Sequence, residues 1–360
     1  NMVTSEGLLE GPVGLGDASW TFGARRSYFD LIFGRLFADT VTLFPRFWDL
    51  GGSVDAGLSA HDRVRVIGLA TDDRLGLLIR PGRTSNTEFA GDIHYRNTYQ
   101  TGGATWTNTR LPGLRFVTTP YAYNYLYDAG FGGFLGIKWE TQVQGVKEDV
   151  AWEAGTLGPT AHTLELGGAV ELEHDTSYVF ANVPAEGRRV GINFTSTVSG
   201  RGFNTGGYVQ DRVTLGRNLT IAAGGRHDRS EFTKQGTWTP RASLEWRADP
   251  ATTVRAAAGT YSQFPKGWQV NKDFGNPNLK PSFADHAVAG IERRLARGLF
   301  ARVEAYTKRY RDQIADGDDM TRFTNDMSGD ARGVEVLLKE NLGERFFGWI
   351  SYARSRSRRR

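Results

Sequence analysis

The sequence predicts an all-β fold, a transmembrane antiparallel up-and-down β-barrel of about sixteen strands. Three observations support this prediction. The 360 residues include 45 glycines, 21 phenylalanines and 13 tyrosines, a composition that favours strands joined by tight turns. Long stretches alternate apolar and polar residues. Short and long connections follow one another along the chain, as in membrane barrels with short turns on one side and longer loops on the other.

The alternation is clearest in residues 162–175, HTLELGGAVELEHD. The apolar parity is Leu164, Leu166, Val170 and Leu172, and the acidic parity is Glu165, Glu171 and Glu173. Residues 299–310, LFARVEAYTKRY, repeat the pattern. Because successive side chains of a strand point to opposite faces, each stretch has one apolar and one polar face. Such stretches reach the ~9–11 residues that a tilted strand needs to cross a bilayer.

The connections between strands are marked by Gly, Pro, Asn and Asp. Short ones are expected near 12–17, 60–62, 111–113, 156–160, 216–218, 248–251, 295–298 and 341–345. Longer ones are expected at 29–43, 74–91, 129–136, 181–201, 265–283 and 312–330, with a brief one near 233–237. The two kinds alternate, which indicates about eight hairpins, with errors of a few residues at each boundary.

Composition argues against several classes of function. Cysteine is absent, which excludes a disulfide framework, a thiolate metal site and a thiol nucleophile. The net charge of +4 does not indicate a nucleic-acid partner. No apolar run approaches the ~20 residues of a membrane helix, and the first residues show no signal-peptide pattern. The histidines are dispersed and no catalytic motif occurs, so we predict no enzyme, no cofactor and no metal site.

Tyrosines occupy every second position of residues 120–128, PYAYNYLYD. The four are Tyr121, Tyr123, Tyr125 and Tyr127. In a strand they share one face, so they either face inward and contact a ligand or belong to an aromatic girdle at the membrane interface. Both alternatives stay open, because Pro120 can mark a bulge that resets the register.

Aromatic residues and lysines are interleaved in residues 262–281, SQFPKGWQVNKDFGNPNLKP. Stacking and cation–π contacts would suit an anionic or sugar-like ligand, and Lys266 and Trp268 are the candidates for contacting it. The segment 276–281 is instead expected to hold the loop in shape. The acidic run 316–319 could bind a divalent cation, but it lacks the full spacing of a calcium loop, which favours a solvated loop.

Six segments in sequence order resemble one family. They are EGPVGLGDASWTFGARRSYFDLI (10–32), GGYVQDRVTLGRNLTIAAGGRHD (206–228), TPRASLEWRADPATTVRAAAGTYSQFP (239–265), FGNPNLKPSFADHAVAGIERRL (274–295), RVEAYTKRYRDQI (302–314) and TNDMSGDARGVEVLLK (324–339). The second places a YxQD strand before a GxRxD strand, and the fourth is similar to a GNPxLKPE loop. Together they resemble the barrel of a TonB-dependent outer-membrane receptor.

The resemblance implies energised uptake of a scarce nutrient, such as siderophore-bound iron, cobalamin, an oligosaccharide or a peptide. Residues 1–360 are expected to be part of a barrel of about 22 strands, without the plug domain and the last strands. The implied partners are outer-membrane lipid, the nutrient, TonB–ExbB–ExbD acting through a plug, and a surface lipoprotein. Interior charges that would contact the plug are Arg25, Arg26, Arg241, Glu245, Arg302 and Glu304.

Two alternatives belong to other classes of protein. A complete barrel of about sixteen strands would be a passive, porin-like channel. A secreted soluble β protein that binds carbohydrate, such as a propeller, would show a repeat of about 40–50 residues. The chain has a hairpin rhythm without a blade signature, which favours the receptor.

Overall fold

A single sheet of sixteen strands contains most of the chain. The computed structural model describes residues 3–14, 16–31, 45–79, 91–132, 134–183, 192–272, 275–296, 298–317, 323–341 and 347–360. In the sheet, each strand lies beside its neighbours in sequence and runs antiparallel to them. The predicted all-β, up-and-down fold and its strand number are therefore confirmed. One continuous sheet also contradicts the propeller alternative, which requires separate blades.

The strand bounds are as follows. They are β1 (Thr4–Pro12), β2 (Ala18–Ser27), β3 (Arg46–Gly57), β4 (Asp62–Ile79), β5 (Gly91–Asn108), β6 (Leu114–Phe131), β7 (Leu135–Leu157), β8 (Thr160–Val183), β9 (Ile192–Leu215), β10 (Leu219–Ser230), β11 (Gln235–Asp249), β12 (Thr252–Gln263), β13 (Ser282–Ala296), β14 (Leu299–Asp316), β15 (Phe323–Asn341) and β16 (Phe347–Arg359). No helix within the described ranges is long and apolar enough to span a membrane.

The short connections fall where the sequence predicts them. Strand ends flank seven of the predicted turns, from the one after β1 to the one after β13. The turn between β15 and β16 lies almost wholly outside the described residues. At Gly113 the backbone takes φ +72°, which a residue without Cβ adopts without strain. Turn chemistry is local, so the sequence is sufficient to place these reversals.

Four of the six longer connections, those expected at 74–91, 129–136, 181–201 and 312–330, are shorter than predicted, because the strands that border them extend further. Strand β9 begins at Ile192, inside the expected connection 181–201, and runs for 24 residues. Strands β14 and β15 together take up most of 312–330. Residues 32–44, 80–90 and 184–191, which overlap three of the expected connections, lie outside the described part of the chain. Backbone pairing with the adjacent strand continues through these strand ends, although Gly, Ser, Asn and Asp among them favour a connection.

The chain divides into two compact units. The first comprises Asn1–Arg110, Phe116–Glu148 and Val170–Phe203, and the second comprises Leu111–Arg115, Asp149–Ala169 and Asn204–Arg360. Large apolar side chains are widely exposed in both, for example Val170 at 53% and Val334 at 44%. Exposed apolar faces of this extent are typical of barrels that contact lipid.

In the first unit, Asp62 links three neighbouring segments at the turn that begins β4. Its carboxylate accepts hydrogen bonds from Ser59 Oγ at 2.7 Å, Asn108 Nδ2 at 2.6 Å and Trp106 Nε1 at 3.1 Å. Arg110 adds an ion pair at 3.3 Å. These hydrogen bonds, that of Ser59 first, lower the pKa of Asp62 to about 2.

We expect Asp62 to make the stability of the folded chain depend on pH below about 4. A carboxyl group whose pKa is lowered by folding stabilises the fold above its unfolded pKa of about 3.9. That contribution decreases as the pH falls towards 2, where Asp62 becomes protonated. The unfolding temperature in detergent should therefore decrease more between pH 6 and pH 2.5 in the wild type than in Asp62→Asn.

The control for this experiment is Glu10→Gln, which changes an exposed carboxylate on β1. The control should retain the wild-type pH dependence. Equal pH dependence in Asp62→Asn and the wild type would contradict the role assigned to Asp62.

Candidate functional site

The tyrosine stripe lies on β6 in the first unit, and its parity continues through Pro120. The register with β5 is the same at Trp106↔Thr118 and at Gly103↔Tyr121, on either side of Pro120, so Pro120 does not shift it. Tyr125 lies opposite Tyr99 on β5. The four stripe tyrosines therefore share one face of the sheet, as the sequence predicts.

Cross-strand pairing identifies that face as the polar one. Tyr125 pairs with Tyr99, Tyr99 with Thr71 on β4, Thr71 with Asp49 on β3, and Asp49 with Arg25 on β2. Residues directly opposite in an antiparallel sheet point to the same side. Arg25 and Asp49 form an ion pair there at 2.5 Å. The stripe thus lies with the charged side chains of this unit.

A hydrogen bond from β6 to β8, over the intervening strand β7, places Tyr121 on this polar face. Tyr121 Oη donates to Glu171 Oε1 on β8. The ring reaches β8 by crossing β7 at Gly145, where an added Cβ would lie 2.8 Å from Tyr121 Cζ. Glu171 belongs to the acidic parity of β8, opposite to Val170 and Leu172. The predicted division of β8 into an acidic and an apolar face agrees with this contact.

Neighbouring strands enlarge the stripe into an aromatic patch. Tyr123 packs with Tyr99 at a centroid distance of 5.9 Å, Tyr127 with Tyr95 at 5.6 Å, and Tyr125 edge-on with Trp139 at 5.9 Å. We call this set the tyrosine patch: Tyr95, Tyr99, Tyr121, Tyr123, Tyr125, Tyr127 and Trp139. Sequence reasoning missed the residues on β5 and β7, although Tyr95 and Tyr99 do have the same parity.

The tyrosine patch is bordered by acidic side chains on β8. Glu171 holds the Tyr121 hydroxyl, and Glu173 and Asp175 follow on the same parity. Asp175 is buried and accepts a hydrogen bond of 2.5 Å from Thr141 Oγ1. The arrangement offers ring faces, phenol hydroxyls and negative charge. It suits a ligand with apolar faces and several hydrogen-bonding groups.

The two loop candidates differ in their surroundings. Trp268 is half-buried and packs edge-on against Phe323 at 5.1 Å, a contact that orders the loop. Lys266 is exposed, while its backbone N–H donates to Gln269 Oε1 at 2.9 Å. Both residues belong to the second unit, whereas the tyrosine patch belongs to the first. Phe274 lies outside the described residues.

The segment 276–281 has structural contacts of the kind expected from the sequence. Asn276 Nδ2 donates to the Phe323 carbonyl oxygen at 2.8 Å, and Leu279 is only 1% exposed. The Lys280 N–H donates to Asn325 Oδ1 at 2.8 Å. These contacts tie the loop to the start of β15.

In the second unit the polar face carries a ladder of ion pairs. Arg255 contacts Glu245 at 3.0 Å and Glu292 at 2.6 Å, and Arg302 lies 3.9 Å from Glu292. Toward the other end of these strands, the Arg241 guanidinium lies 4.6 Å above the Tyr261 ring, which packs on His286 at 4.8 Å. A cavity of about 330 Å³ beside His286 is lined in part by Glu304 and Lys308.

Five of the six predicted interior charges lie on polar faces, and one does not. Arg25 is in the first unit, and Arg241, Glu245, Arg302 and Glu304 are in the second. Arg26 is the exception. As the next residue after Arg25 in an extended strand it points to the opposite face, where it pairs with Asp30 at 3.2 Å.

The described residues contain no cluster of three or more His, Asp or Glu that could hold a metal ion. Asp316 ends β14, while Asp318 and Asp319 of the acidic run lie outside the described residues. The expectation for that run stays a prediction.

Comparison with known families and structures gives consistent matches. Residues 17–360 match the family model described as TonB dependent receptor-like, beta-barrel. Among solved structures, the chain is similar to the outer membrane transporter YddB from Escherichia coli, with 13% identity, a TM-score of 0.73, and coverage of 98% of this chain and 55% of that one. It is also similar to the siderophore receptor PirA from Pseudomonas aeruginosa, with 15% identity, a TM-score of 0.70, and coverage of 98% and 61%.

A third similar structure is the ferric enterobactin receptor PfeA from Pseudomonas aeruginosa, in complex with enterobactin. Identity is 16%, the TM-score is 0.69, and the match covers 95% of this chain and 58% of that one. The chain thus spans between 55% and 61% of the length of these three structures. At such identities the structural similarity shows the fold.

Proposed function

Because the chain belongs to the TonB-dependent receptor β-barrel family, we propose that it forms the barrel of an outer-membrane receptor for a scarce nutrient. The observation that supports this most is the family match over residues 17–360. The polar and apolar faces of the strands agree with a barrel whose outer surface contacts lipid and whose interior is polar. Its role is transport, with no catalysed reaction.

The proposed mechanism assigns capture to the outer loops and passage to the polar interior. The nutrient binds from outside, and TonB–ExbB–ExbD acts on a plug domain that releases it towards the periplasm. A surface lipoprotein is a further proposed partner. The nutrient is siderophore-bound iron, cobalamin, an oligosaccharide or a peptide. Ferric siderophores are the first to test, because PirA and PfeA are receptors of that kind.

We propose that the tyrosine patch contacts the nutrient as it passes. Its position on the polar face argues against the alternative role as an aromatic girdle, because a girdle at the lipid interface would occupy the apolar face. Tyrosines present large, rigid surfaces with a polar tip, so they bind varied ligands at a low cost in side-chain entropy. Lys266 and Trp268 are proposed as additional contacts at the loop.

The proposal is tested by the energy dependence of uptake. The gene for the full-length protein is expressed in a Gram-negative bacterium from which its own TonB-dependent receptors have been deleted. Uptake of labelled ferric siderophores, cobalamin, oligosaccharides and peptides is then measured. We expect one class to accumulate in a host with TonB and to be lost in the same host without it. Equal uptake in both hosts would overturn the proposal and indicate a passive channel.

A further inference from the structure

A groove lies on the apolar face of the second unit. Ala289 on β13 pairs with Ala305 on β14, and Ala305 pairs with Val334 on β15. Small side chains on β13 and β14 leave an open groove of about 810 Å³. Val303 and Val336 occupy the same face one step nearer to the short turn after β13. The floor of the groove is therefore part of the apolar surface proposed to meet lipid.

Three arginines form the wall of this groove. Arg354 on β16 lies opposite Val334, and Arg332 on β15 lies directly opposite Arg356 on β16. All three line the groove and are exposed. We call this set, with Ala289 and Ala305, the arginine groove. It lies on the side of the valines that is farther from the short turn, and thus towards the end of the strands with the longer loops.

In the part of the chain that the structure describes, no carboxylate forms an ion pair with the arginines of the groove. On the same face, Asp285 pairs with Arg311 at 3.0 Å and Asp330 with Arg360 at 3.9 Å. Among the described residues, none of the ion pairs involves Arg332, Arg354 or Arg356. Asp330 lies on the same face two residues from Arg332, but its ion pair is with Arg360 and it lies opposite Arg358. Arginines therefore outnumber carboxylates on this part of the face, and an anion is the complement that it lacks.

Arginines on a lipid-facing surface are unfavourable unless they meet an anion or water. An arginine on the lipid face of a barrel costs ~2–4 kcal/mol at the bilayer midplane and ~0–1 kcal/mol near the interface. Guanidinium groups bind phosphate oxygens through pairs of charge-assisted hydrogen bonds. Valines below and arginines above match a molecule with acyl chains and a phosphate headgroup. We infer that the arginine groove binds the headgroup of a membrane lipid that carries a phosphate and a net negative charge.

The inference rests on the proposed membrane location and can fail separately from it. The full-length protein is purified in a neutral detergent, and lipid binding is measured by native mass spectrometry with phosphatidylglycerol, phosphatidylcholine and inorganic phosphate as probes. We expect phosphatidylglycerol to be retained preferentially. Replacing Arg332, Arg354 and Arg356 by Gln should lower its retention at least about tenfold, because even one charge-assisted hydrogen bond contributes that much.

The controls separate charge at this groove from charge in general. The matched variant replaces Arg65, Arg115 and Arg217, which are exposed and take part in no ion pair of the described residues; it should bind phosphatidylglycerol as the wild type does. A variant with Lys at the three groove positions keeps the charge and should recover part of the binding. A band that shifts on heating in a semi-native gel confirms that each variant is folded.

Three results would overturn the inference: equal retention of phosphatidylcholine and phosphatidylglycerol, an equal loss in the matched variant, or undiminished binding in the Gln variant. Displacement of the lipid by millimolar inorganic phosphate would also contradict it, because the groove would then be an anion site without use for the acyl chains. Failure of the protein to enter membranes at all would instead count against the proposed function.

Discussion

Replacing Gly224 by Ala should destabilise the folded barrel, whereas the same change at the adjacent Gly225 should not. Gly224 lies in β10 between Gln210 on β9 and Arg241 on β11. An added Cβ would lie 2.3 Å from the Val209 carbonyl oxygen and 2.8 Å from Gln210 Cα. Both atoms belong to the backbone of β9, so rotation of a side chain cannot relieve the clash and the two strands would have to move apart. Overpacking of this kind costs about 1–3 kcal/mol.

Gly225 is the internal control, because the two positions differ mainly in the room that each leaves for a Cβ atom. It is next in the same strand, and a Cβ added there meets no atom within 4 Å. Alanine also favours neither strand nor turn strongly, so its intrinsic effect at the two positions is similar. The free energy of unfolding by urea in detergent gives the comparison. Equal losses in the two variants would show that strand propensity, not space, governs both sites.

The turns and the two-faced strands could be predicted from the sequence because both are local properties. A turn is specified by a few Gly, Pro, Asn or Asp residues, and alternation is specified by neighbours in sequence. The Glu and Leu parities of β8 agree with the hydrogen bond from Tyr121 to Glu171. Local patterns are weaker at strand ends. Residues 192–201 join β9, where Ile192, Phe194 and Val198 keep one parity, although Ser, Asn and Gly among them favour a connection.

The tyrosine patch shows where prediction from sequence ends. The sequence alone shows that the four β6 tyrosines share one face of the strand, but it does not show whether that face is the polar or the apolar one. The choice depends on Gly145 in β7, which leaves room for the Tyr121 ring, and on Glu171 in β8, which accepts its hydrogen bond. These residues are 24 and 50 positions away from Tyr121 in the numbering. Only the pairing of strands brings them together, and that pairing cannot be predicted from the sequence of any single strand.

If the tyrosine patch contacts the nutrient, replacing Tyr123 and Tyr125 by Ala should strongly weaken uptake. These two are chosen because their ring contacts, with Tyr99 and Trp139, lie within the patch. An aromatic contact of this kind contributes about 0.5–1.5 kcal/mol beyond its buried area. The double variant should therefore raise the half-saturation concentration for uptake by about ten- to a hundredfold. The maximal rate should change less, because energy still comes from TonB.

A matched change on the apolar face distinguishes binding from loss of structure. Tyr352 is 61% exposed and lies opposite Val336, so Tyr352→Ala removes the same kind of side chain from the other face. It should leave the half-saturation concentration unchanged. Tyr121→Phe is the complementary variant, since it keeps the ring over Gly145 and removes only the hydroxyl that holds Glu171. A lower maximal rate at constant half-saturation in the double variant would mean that the patch stabilises the barrel without contacting the nutrient.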